Sequence, residues 1–318
     1  MKQVAVIGAG NWGLNVVNAI YELGELAAVA EVSGDVRNRL RTMYPGMPVY
    51  ESFEPVFASD IPAVAIATPA ATHYRIARQA LLAGKDVFVE KPITLSLHEA
   101  EDLRCLAREN GRILMVGHLL LYQPTIRWIK QYLASGELGK VYSLHQQRSK
   151  LGRVRSVENV LWSLGVHDIA VLLHLAGEEL PQRISVNGQR ILQTKLEDDM
   201  YLHLSFRGGV QAHLHISWLW PEQERRLVVI GSKGMLVHQE QEQTVTLHRK
   251  GVCQDLTCWD EGSEVVFRGS AKPLTAECLH FLDCISNRQT PISGADHAVA
   301  VVQVMEECMR LLKEGTPV

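Results

Sequence analysis

The segment VAVIGAGNWG, Val4 to Gly13, constrains the fold more than any other feature, because three glycines follow a β-branched apolar run at the spacing Gly8-x-Gly10-x-x-Gly13. Such a run favours a buried strand, and the amphipathic stretch after Gly13 favours a helix. Glycine in the connecting turn lets backbone N–H groups approach a phosphate at the positive end of that helix. The segment therefore predicts a strand, a phosphate-binding turn and a helix in succession.

Short apolar runs and amphipathic stretches alternate as far as Gly117. This alternation is typical of parallel βαβ units, which form a doubly wound α/β sheet with ligands at the carboxyl ends of its strands. Glu31 ends the second apolar run, where an acid would accept hydrogen bonds from the ribose hydroxyls of a dinucleotide. We therefore expect a Rossmann domain over residues 1–120 that binds NAD, because Glu31 would repel the 2′-phosphate of NADP.

The pattern changes after Gly117. Helical patterns cover residues 124–135, 167–175, 273–286 and 295–313, and β-like segments lie between residues 183 and 248. Successive strands without intervening helices favour a mostly antiparallel open sheet, so residues 121–318 are predicted to form an α+β domain for substrate binding and oligomerisation. One face of this sheet needs cover, and we expect a second copy of the chain to supply it, giving a homo-oligomer.

Composition limits the possible partners. The net charge is −3 and charges of both signs are interspersed, so there is no basic stripe for nucleic acid. The apolar run at the start is too short for a signal peptide or a membrane span, and we expect a cytoplasmic protein that does not use a membrane. The six cysteines are spaced poorly for metal or redox chemistry, so we predict no metal and no disulfide; Cys278, Cys284 and Cys308 are interpreted as buried apolar groups.

Further motifs carry a family resemblance. They are Thr68-Pro69 with His73, Glu90-Lys91-Pro92 at the end of VFVEKP, Gly117-His118, and Gly165-x-His167-Asp168. Together with the glycine turn they resemble the Gfo/Idh/MocA oxidoreductases, which use NAD(P) and act on sugars, cyclitols and nucleotide sugars, over nearly the whole chain. In that family the lysine of the EKP turn and the histidine of the later helix lie on either side of the reacting carbinol. The resemblance implies Lys91 and His167 as the catalytic residues.

The glycine turn and the resemblance together imply the cofactor contacts. These are Gly8, Gly10, Asn11, Trp12, Gly13, Glu31, Thr68, Pro69, His73, Glu90 and Lys91. Oxidation of a secondary alcohol needs a hydride acceptor and a group that takes the hydroxyl proton. We assign the larger share of proton transfer to His167, and the positioning and polarisation of the same oxygen to Lys91.

The second domain carries a narrower resemblance. Gln147-Arg148, Gly152-x-Val154-Arg155, Asn159 to Trp162 and Ser217 to Pro221 resemble a nucleotide-sugar branch that includes dehydrogenases of UDP-N-acetylglucosaminuronic acid acting at C3. Two departures from the family stand out. Ser163 replaces an aspartate found in many members, and Trp220-Pro221 with Gln223 replaces an Asp-Pro and a following lysine. The substrate contacts implied are Tyr122, Arg148, Arg155, Asn159, Ser163 and Asp168, since guanidinium groups suit a pyrophosphate or carboxylate.

Three functions remain open at this point. The first is NAD-dependent oxidation of a nucleotide sugar at a secondary hydroxyl, the second is oxidation of a free sugar or inositol, and the third is a non-catalytic NAD-binding regulator. The joint presence of Lys91 and His167 counts against the third. Residues 149–158 could equally form a basic surface loop, and the pattern from Pro273 to Phe281 is interpreted as packing alone.

Overall fold

The computed structural model describes residues 3–152, 154–177, 180–270 and 272–314. The chain divides into two compact units, Met1–Leu119 with Lys272–Val302 and Leu120–Ala271 with Gln303–Val318. The predicted boundary placed everything after residue 120 in the second domain, and the structure differs at residues 272–302. These residues pack in the first unit, where the ring centroids of Phe281 and Phe88 lie 5.8 Å apart.

The strands and helices follow the predicted succession closely. The strands are β1 Val4–Ile7, β2 Leu26–Ala30, β3 Val49–Tyr50, β4 Ala63–Ile66, β5 Asp86–Glu90, β6 Leu114–Gly117, β7 Val141–Ser149, β8 Arg183–Gln189, β9 Asp199–Ser205, β10 Gln211–Ser217, β11 Glu224–Gly231, β12 Gly234–Gln239, β13 Thr244–Val252 and β14 Cys258–Arg268. The helices are α1 Gly13–Glu22, α2 Gly34–Met43, α3 Glu54–Phe57, α4 His73–Leu82, α5 Leu97–Glu109, α6 Pro124–Ser135, α7 Val166–Ala176, α8 Pro273–Asn287 and α9 Ala295–Glu314. Within the described ranges, no helix has the length and apolar character needed to cross a membrane.

A six-stranded parallel sheet in the order β3-β2-β1-β4-β5-β6 forms the centre of the first unit, as predicted. All side chains of β1 and β4 are buried, which explains why both strands have continuous apolar sequences. The order of strands reverses between β1 and β4. At such a point two loops diverge at the carboxyl end of the sheet, and doubly wound folds bind their ligands in the crevice between them.

Helix α8 lies along β5 and is fixed at two points. Arg288, at the end of α8, donates from Nη1 to Asp86 Oδ2 at 2.7 Å, and Asp86 begins β5. Phe281, two turns earlier, contacts Phe88 in the middle of the strand. The helix therefore runs past β5 in the opposite direction, and the first turns of α8 lie beside the carboxyl end of β5.

The second unit contains an eight-stranded sheet in the order β14-β13-β12-β11-β7-β10-β9-β8. All neighbouring strands are antiparallel except β7 and β10, which confirms the predicted mostly antiparallel sheet. The predicted β-like segments, between residues 183 and 248, include neither β7 nor β14. Most side chains of β14 are exposed and show no alternation.

The two faces of this sheet differ. On one face Gln146 and Arg148 of β7 donate to Asp168 of α7, so this face carries the helix. On the other face three histidines lie side by side on adjacent strands, with His213 of β10 paired in register with His145 of β7 and His203 of β9. His203 Nδ1 and His213 Nδ1 are 2.7 Å apart.

Candidate functional site

The glycine turn between β1 and α1 has the geometry of a phosphate-binding loop. Gly8 has a φ of 90°, and a Cβ added to Gly13 would lie 2.2 Å from the carbonyl oxygen of Gly8, so both positions require glycine. A Cβ on Gly10 would meet no described atom within 4 Å, so packing does not require glycine there. The open space lies before the first turn of α1, which has no acidic residue. This space suits a diphosphate at the positive end of the helix.

A cavity of about 480 Å³ adjoins this turn. It is lined by residues at the ends of β1, β2 and β4, among them Gly8, Gly10, Glu31, Thr68 and Pro69. Five of the predicted cofactor residues thus share one cavity. Its size and its position at the switch point suit the adenosine half of a dinucleotide.

Glu31 lies at the edge of this cavity with both carboxylate oxygens engaged. The backbone N–H of Ala9 donates to Oε2 at 2.6 Å and that of Ser33 donates to Oε1 at 2.8 Å. Each carboxylate oxygen can accept a further hydrogen bond, so Glu31 can hold ribose hydroxyls as well as the glycine turn. Arg37 donates to the carbonyl oxygens of Glu31 and Val32, and is therefore occupied near the position where a 2′-phosphate would need a cation.

The residues of the cavity that were not predicted include an aromatic ring and a guanidinium group. Phe53 and Arg75 line it together, and the guanidinium carbon of Arg75 lies 5.3 Å from the centre of the Phe53 ring. Phe53 follows β3, which has only two residues and leaves no strand pattern in the sequence. Arg75 is in the first turn of α4, so the available signal was its position beside Thr68-Pro69 at the end of β4.

His73, which is predicted to contact the cofactor, is buried between two loops of the first unit. It is 1% exposed, and its two ring nitrogens lie 2.8 Å from the carbonyl oxygens of Pro92 and Thr68. A neutral imidazole donates from one nitrogen only, and burial lowers the pKa of His73, so one of these contacts is a hydrogen bond at a time. The side chain ties the loop after β4 to the Lys91-Pro92 turn.

Glu90 and Trp12 connect the glycine turn to the EKP turn. Trp12 Nε1 donates to Glu90 Oε1 at 2.6 Å, and the Lys91 backbone N–H donates to Glu90 Oε2 at 3.3 Å. Burial raises the pKa of Glu90 to about 7, although the hydrogen bond from Trp12 and the charge of Lys91 oppose this shift. Lys91 itself is partly exposed at the carboxyl end of β5. The buried carboxyl group thus fixes the backbone that carries the predicted catalytic lysine.

In the second unit, the predicted catalytic histidine begins α7. One π-helical turn, Leu161–Gly165, precedes the helix and contains Ser163. His167 and Ser163 are partly exposed, whereas Val166 and Asp168 are buried. The predicted general base and the serine that replaces the family aspartate are therefore accessible, and Asp168 is not.

The structure places four predicted substrate residues inside the second unit. Arg148 Nε donates to both oxygens of Asp168, at 2.9 and 2.8 Å, and its Nη2 donates to Glu240 at 2.6 Å. Asn159 donates to Glu197 at 2.8 Å, and Tyr122 is 1% exposed. These polar groups are buried, and Arg148, Asp168 and Asn159 are paired within the unit, so their role in substrate binding stays a prediction.

Arg155 is the accessible cation among the predicted substrate residues. Its side chain is 42% exposed and lies 3.7 Å from Glu158, a distance that permits only a weak ion pair. With regard to metals, no group of three or more His, Cys, Asp or Glu side chains in the described ranges is arranged to hold an ion. The side chains of Cys278, Cys284 and Cys308 are buried, as their helical pattern predicts.

Comparison with known proteins agrees with this architecture. A family model described as an NAD-binding Rossmann oxidoreductase matches residues 2–118, and a GFO/IDH/MocA C-terminal domain model matches residues 126–237. A UDP-N-acetylglucosamine 3-dehydrogenase from Acidithiobacillus ferrooxidans is 30% identical over 230 residues, which cover 71% of this chain and 70% of that protein. A scyllo-inositol 2-dehydrogenase (NAD(+)) from Bacillus subtilis is 26% identical over 273 residues, covering 81% and 77%.

The fold extends over the whole of a solved relative. The structure of the Acidithiobacillus ferrooxidans enzyme has a TM-score of 0.86 at 23% identity and covers 98% of each chain. The sequence matches and this shared fold agree with the motifs at the glycine turn and the EKP turn. The chain therefore belongs to the Gfo/Idh/MocA family of oxidoreductases and uses NAD as its cofactor.

Proposed function

We propose that the protein oxidises a secondary alcohol of a nucleotide sugar by transferring hydride from its carbinol carbon to NAD, with C3 of a UDP-N-acetylglucosamine derivative such as its uronate as that carbon. The observation that carries the oxidoreductase assignment is the linkage of Glu90 to both Trp12 and the Lys91 backbone, which ties the cofactor turn to the lysine. The name of the 30% identical relative supports the substrate class.

The residues have distinct roles in this proposal. NAD supplies the hydride acceptor. The glycine turn and the start of α1 bind the diphosphate, and Glu31 binds the adenosine ribose. Lys91 positions and polarises the reacting hydroxyl, and His167 takes its proton. Asp168, paired with Arg148, fixes the first turn of α7 on the sheet and so holds the backbone of the adjacent His167 in place.

A free sugar or inositol is the second candidate substrate. Arg148 is engaged by Asp168 and Glu240, which removes one of the two cations that favoured an anionic substrate. The inositol dehydrogenase among the relatives also supports this alternative. The effect of substituting Arg155 therefore distinguishes a nucleotide sugar from a free sugar or inositol as the substrate.

The test is a substrate panel with NAD, followed by the absorbance of NADH. The panel contains UDP-N-acetylglucosamine, its uronate, free N-acetylglucosamine and inositols. We expect turnover of the UDP sugars alone, and reduction of the product with borodeuteride should place the label on C3. Turnover of free polyols alone would establish the second candidate. NADH binding without turnover of any panel member would favour a regulatory protein and contradict the proposal.

Arg155→Ala provides the matched variant. If the substrate is a nucleotide sugar bound through Arg155, KM should rise about tenfold to a hundredfold while kcat changes little, because the contact lies away from the reacting carbon. Arg183→Ala, an exposed arginine at the start of β8, serves as the control. An unchanged KM in Arg155→Ala would contradict an ionic contact at this residue.

We also propose that copies of this chain associate through the open face of the eight-stranded sheet. Four partly exposed apolar residues form a patch on β11 and β12, where Val228 pairs with Val237 and Ile230 pairs with Met235. His145 lies next to Val228 and extends the patch onto β7. A second copy would remove these side chains from water.

A further inference from the structure

We propose that Glu277 is a positioning residue for the reaction: it stays protonated and supports the Glu90 carboxylate that joins the glycine turn to the EKP turn. The sequence pattern around Glu277 was interpreted as packing alone. This inference rests on the proposed role of Lys91, and it adds a buried carboxyl pair behind that lysine.

The alignment of α8 with β5 brings Glu277 to Glu90. Arg288 contacts Asp86 at the start of β5, and Phe281 contacts Phe88 in its middle. Residues nearer the start of α8 therefore lie beside residues nearer the end of β5. Glu277 precedes Phe281 by one helical turn and points to the same side of α8. Glu90 follows Phe88 by two residues and points to the same side of β5. The two residues therefore lie on the facing sides of α8 and β5, near enough for the charge of Glu90 to act on Glu277.

Both carboxyl groups are buried, but only one has donors. Glu90 accepts from Trp12 and from the Lys91 backbone. Glu277 is 0% exposed, and neither of its oxygens has a hydrogen-bond partner in the described part of the chain. A Cβ on Gly117 would lie 2.9 Å from Glu90 Oε2, so the glycine at the end of β6 gives the Glu90 carboxylate its space.

The surroundings decide which group is ionised. Burial raises the pKa of Glu277 well above its ordinary value, and the charge of Glu90 raises it further. Burial also raises the pKa of Glu90, but only to about 7, since Trp12 and Lys91 stabilise its charged form. Other titratable groups on neighbouring elements are Lys91, Cys278 of α8, His118 after β6 and His297 of α9. His118 is neutral because burial lowers its pKa far below the ordinary value. Glu90 therefore ionises first, and Glu277 keeps its proton.

A protonated Glu277 has an O–H group that can donate, whereas an ionised Glu277 would repel Glu90. Neutral Glu277 therefore leaves a single negative charge in the pair, located on the carboxylate that binds Trp12 and the Lys91 amide. Loss of this support would disfavour ionised Glu90. The glycine turn and the Lys91 turn would then be held together by a neutral acid with fewer acceptor sites.

Infrared spectroscopy of the cofactor-free protein tests the proton directly. At about pH 8.5 exposed carboxyl groups are ionised, so a protonated carboxyl C=O stretch reports a buried acid. We expect one such band in the unmodified protein, its loss in Glu277→Gln and its retention in Glu90→Gln. Asp283→Asn, an exposed acid on the same helix, should change nothing. Absence of the band from the unmodified protein, or its persistence in Glu277→Gln, would overturn the proposal.

A second readout separates positioning from packing. Glu277→Leu keeps the volume but removes the donor, so the titration of Glu90 followed by infrared should move to higher pH by about one unit, as should the acid limb of kcat/KM that depends on Glu90. Glu277→Gln retains an N–H donor and should leave that limb near its original pH. Equal profiles for the two variants would reduce Glu277 to a packing residue. Because the band is measured without substrate, it tests this inference even if the proposed substrate is wrong.

Discussion

At position 31 a single carboxylate serves both the fold and the cofactor. Glu31 accepts hydrogen bonds from the backbone N–H groups of Ala9 and Ser33, and these bonds hold the glycine turn against β2. The side chain also lines the adjoining cavity. A substitution at Glu31 therefore affects the shape of the turn as well as the ribose contact. The least disruptive change is one that keeps the size of the side chain and removes its charge.

We predict that Glu31→Gln weakens NADH binding about tenfold or more, because a charge-assisted hydrogen bond becomes a neutral one. NADPH binding should weaken less, since the repulsion of its 2′-phosphate is removed. Adding Ser33→Arg should narrow or invert the preference for NADH over NADPH. Calorimetric titration with both cofactors gives the dissociation constants. Glu51→Gln is the control, because Glu51 lines the same cavity but its side chain is 79% exposed. Equal binding of NADH and NADPH by the unmodified protein would contradict this account.

Lys91→Ala should lower kcat by about 10²-fold or more, the usual scale for a positioned proton-transfer group. NADH affinity should stay nearly the same, because the Lys91 backbone N–H that bonds Glu90 is retained. Steady-state kinetics and a binding titration on the same preparation distinguish the two effects. Lys85→Ala is an unsuitable control because Lys85 is buried, whereas Lys140→Ala on the surface is a fair one. Normal turnover of Lys91→Ala would remove the lysine from the mechanism.

The structure brings five of the residues predicted to contact the cofactor into one cavity, whereas most residues predicted to contact the substrate are buried. Glycine spacing and a strand-ending acid are backbone requirements that the sequence shows directly. The roles of Arg148 and Asp168 depend on burial and on partners distant in the chain, such as Glu240. One signal was available: Leu144, Gln146 and Arg148 share the buried face of β7, so the alternation already indicated that Arg148 points inward.

Among the elements, the Arg148 cluster joins β7, α7 and the end of β12. Asp168 and Glu240 are both paired with Arg148, and Arg225 of β11 also donates to Glu240 at 2.8 Å. Burial raises the pKa of Asp168 to about 6 even with Arg148 beside it. Burial acts to raise the pKa of Glu240 too, but Arg148 and Arg225 outweigh it, and the pKa is lowered. Arg148 is thus paired with both buried acids, and Glu240 has Arg225 as a second cation.

We therefore predict that Arg148→Met lowers the free energy of unfolding by about 3–5 kcal/mol at neutral pH, since it leaves the buried Asp168 without its cation and Glu240 with Arg225 alone. Without Arg148 the pKa of Asp168 rises further above about 6, so the loss should be smaller near pH 4, where Asp168 is protonated, and should grow as the pH increases to 7. Urea unfolding across this range measures it. Arg225→Met, which removes a partly exposed cation, should cost under about 1 kcal/mol. A loss for Arg148→Met that does not vary with pH would argue for packing alone.

The row of histidines across β7, β10 and β9 gives a second prediction for an element. Burial lowers the pKa of His213, and the charges of His145 and His203 lower it further. Because the pKa of His213 is lower in the folded state than in the unfolded state, neutral His213 contributes to the free energy of unfolding above about pH 6.5. This contribution is lost as the pH falls. His213→Asn should flatten the dependence of unfolding free energy on pH below this point. His248→Asn, outside this row, should leave the slope unchanged.

For the molecule as a whole, hydrophobic periodicity predicted two architectures correctly, since buried parallel strands and half-buried antiparallel strands have different patterns. It could not assign α8 to the first unit. That assignment depends on contacts such as Phe281 with Phe88 and Arg288 with Asp86, between residues far apart in the chain. Nor could it predict β14, whose side chains are mainly exposed. A hydrophobic pattern predicts how deeply a segment is buried, but it does not predict which other segments cover it.

Self-association is the prediction that belongs to the whole molecule. If the apolar patch on β11 and β12 pairs with the same patch of a second copy, sedimentation equilibrium should give a multiple of the 35.5 kDa chain mass. Val228→Arg places a charge beside Val237 and His145 at the centre of the patch, so it should shift the protein towards the monomer. Val252→Arg, at the far end of β13 where the valine is 62% exposed, should leave the mass unchanged. NADH binding by Val228→Arg would show that the variant is folded. A monomer at all concentrations, or an unchanged oligomer in Val228→Arg, would exclude this face as the interface.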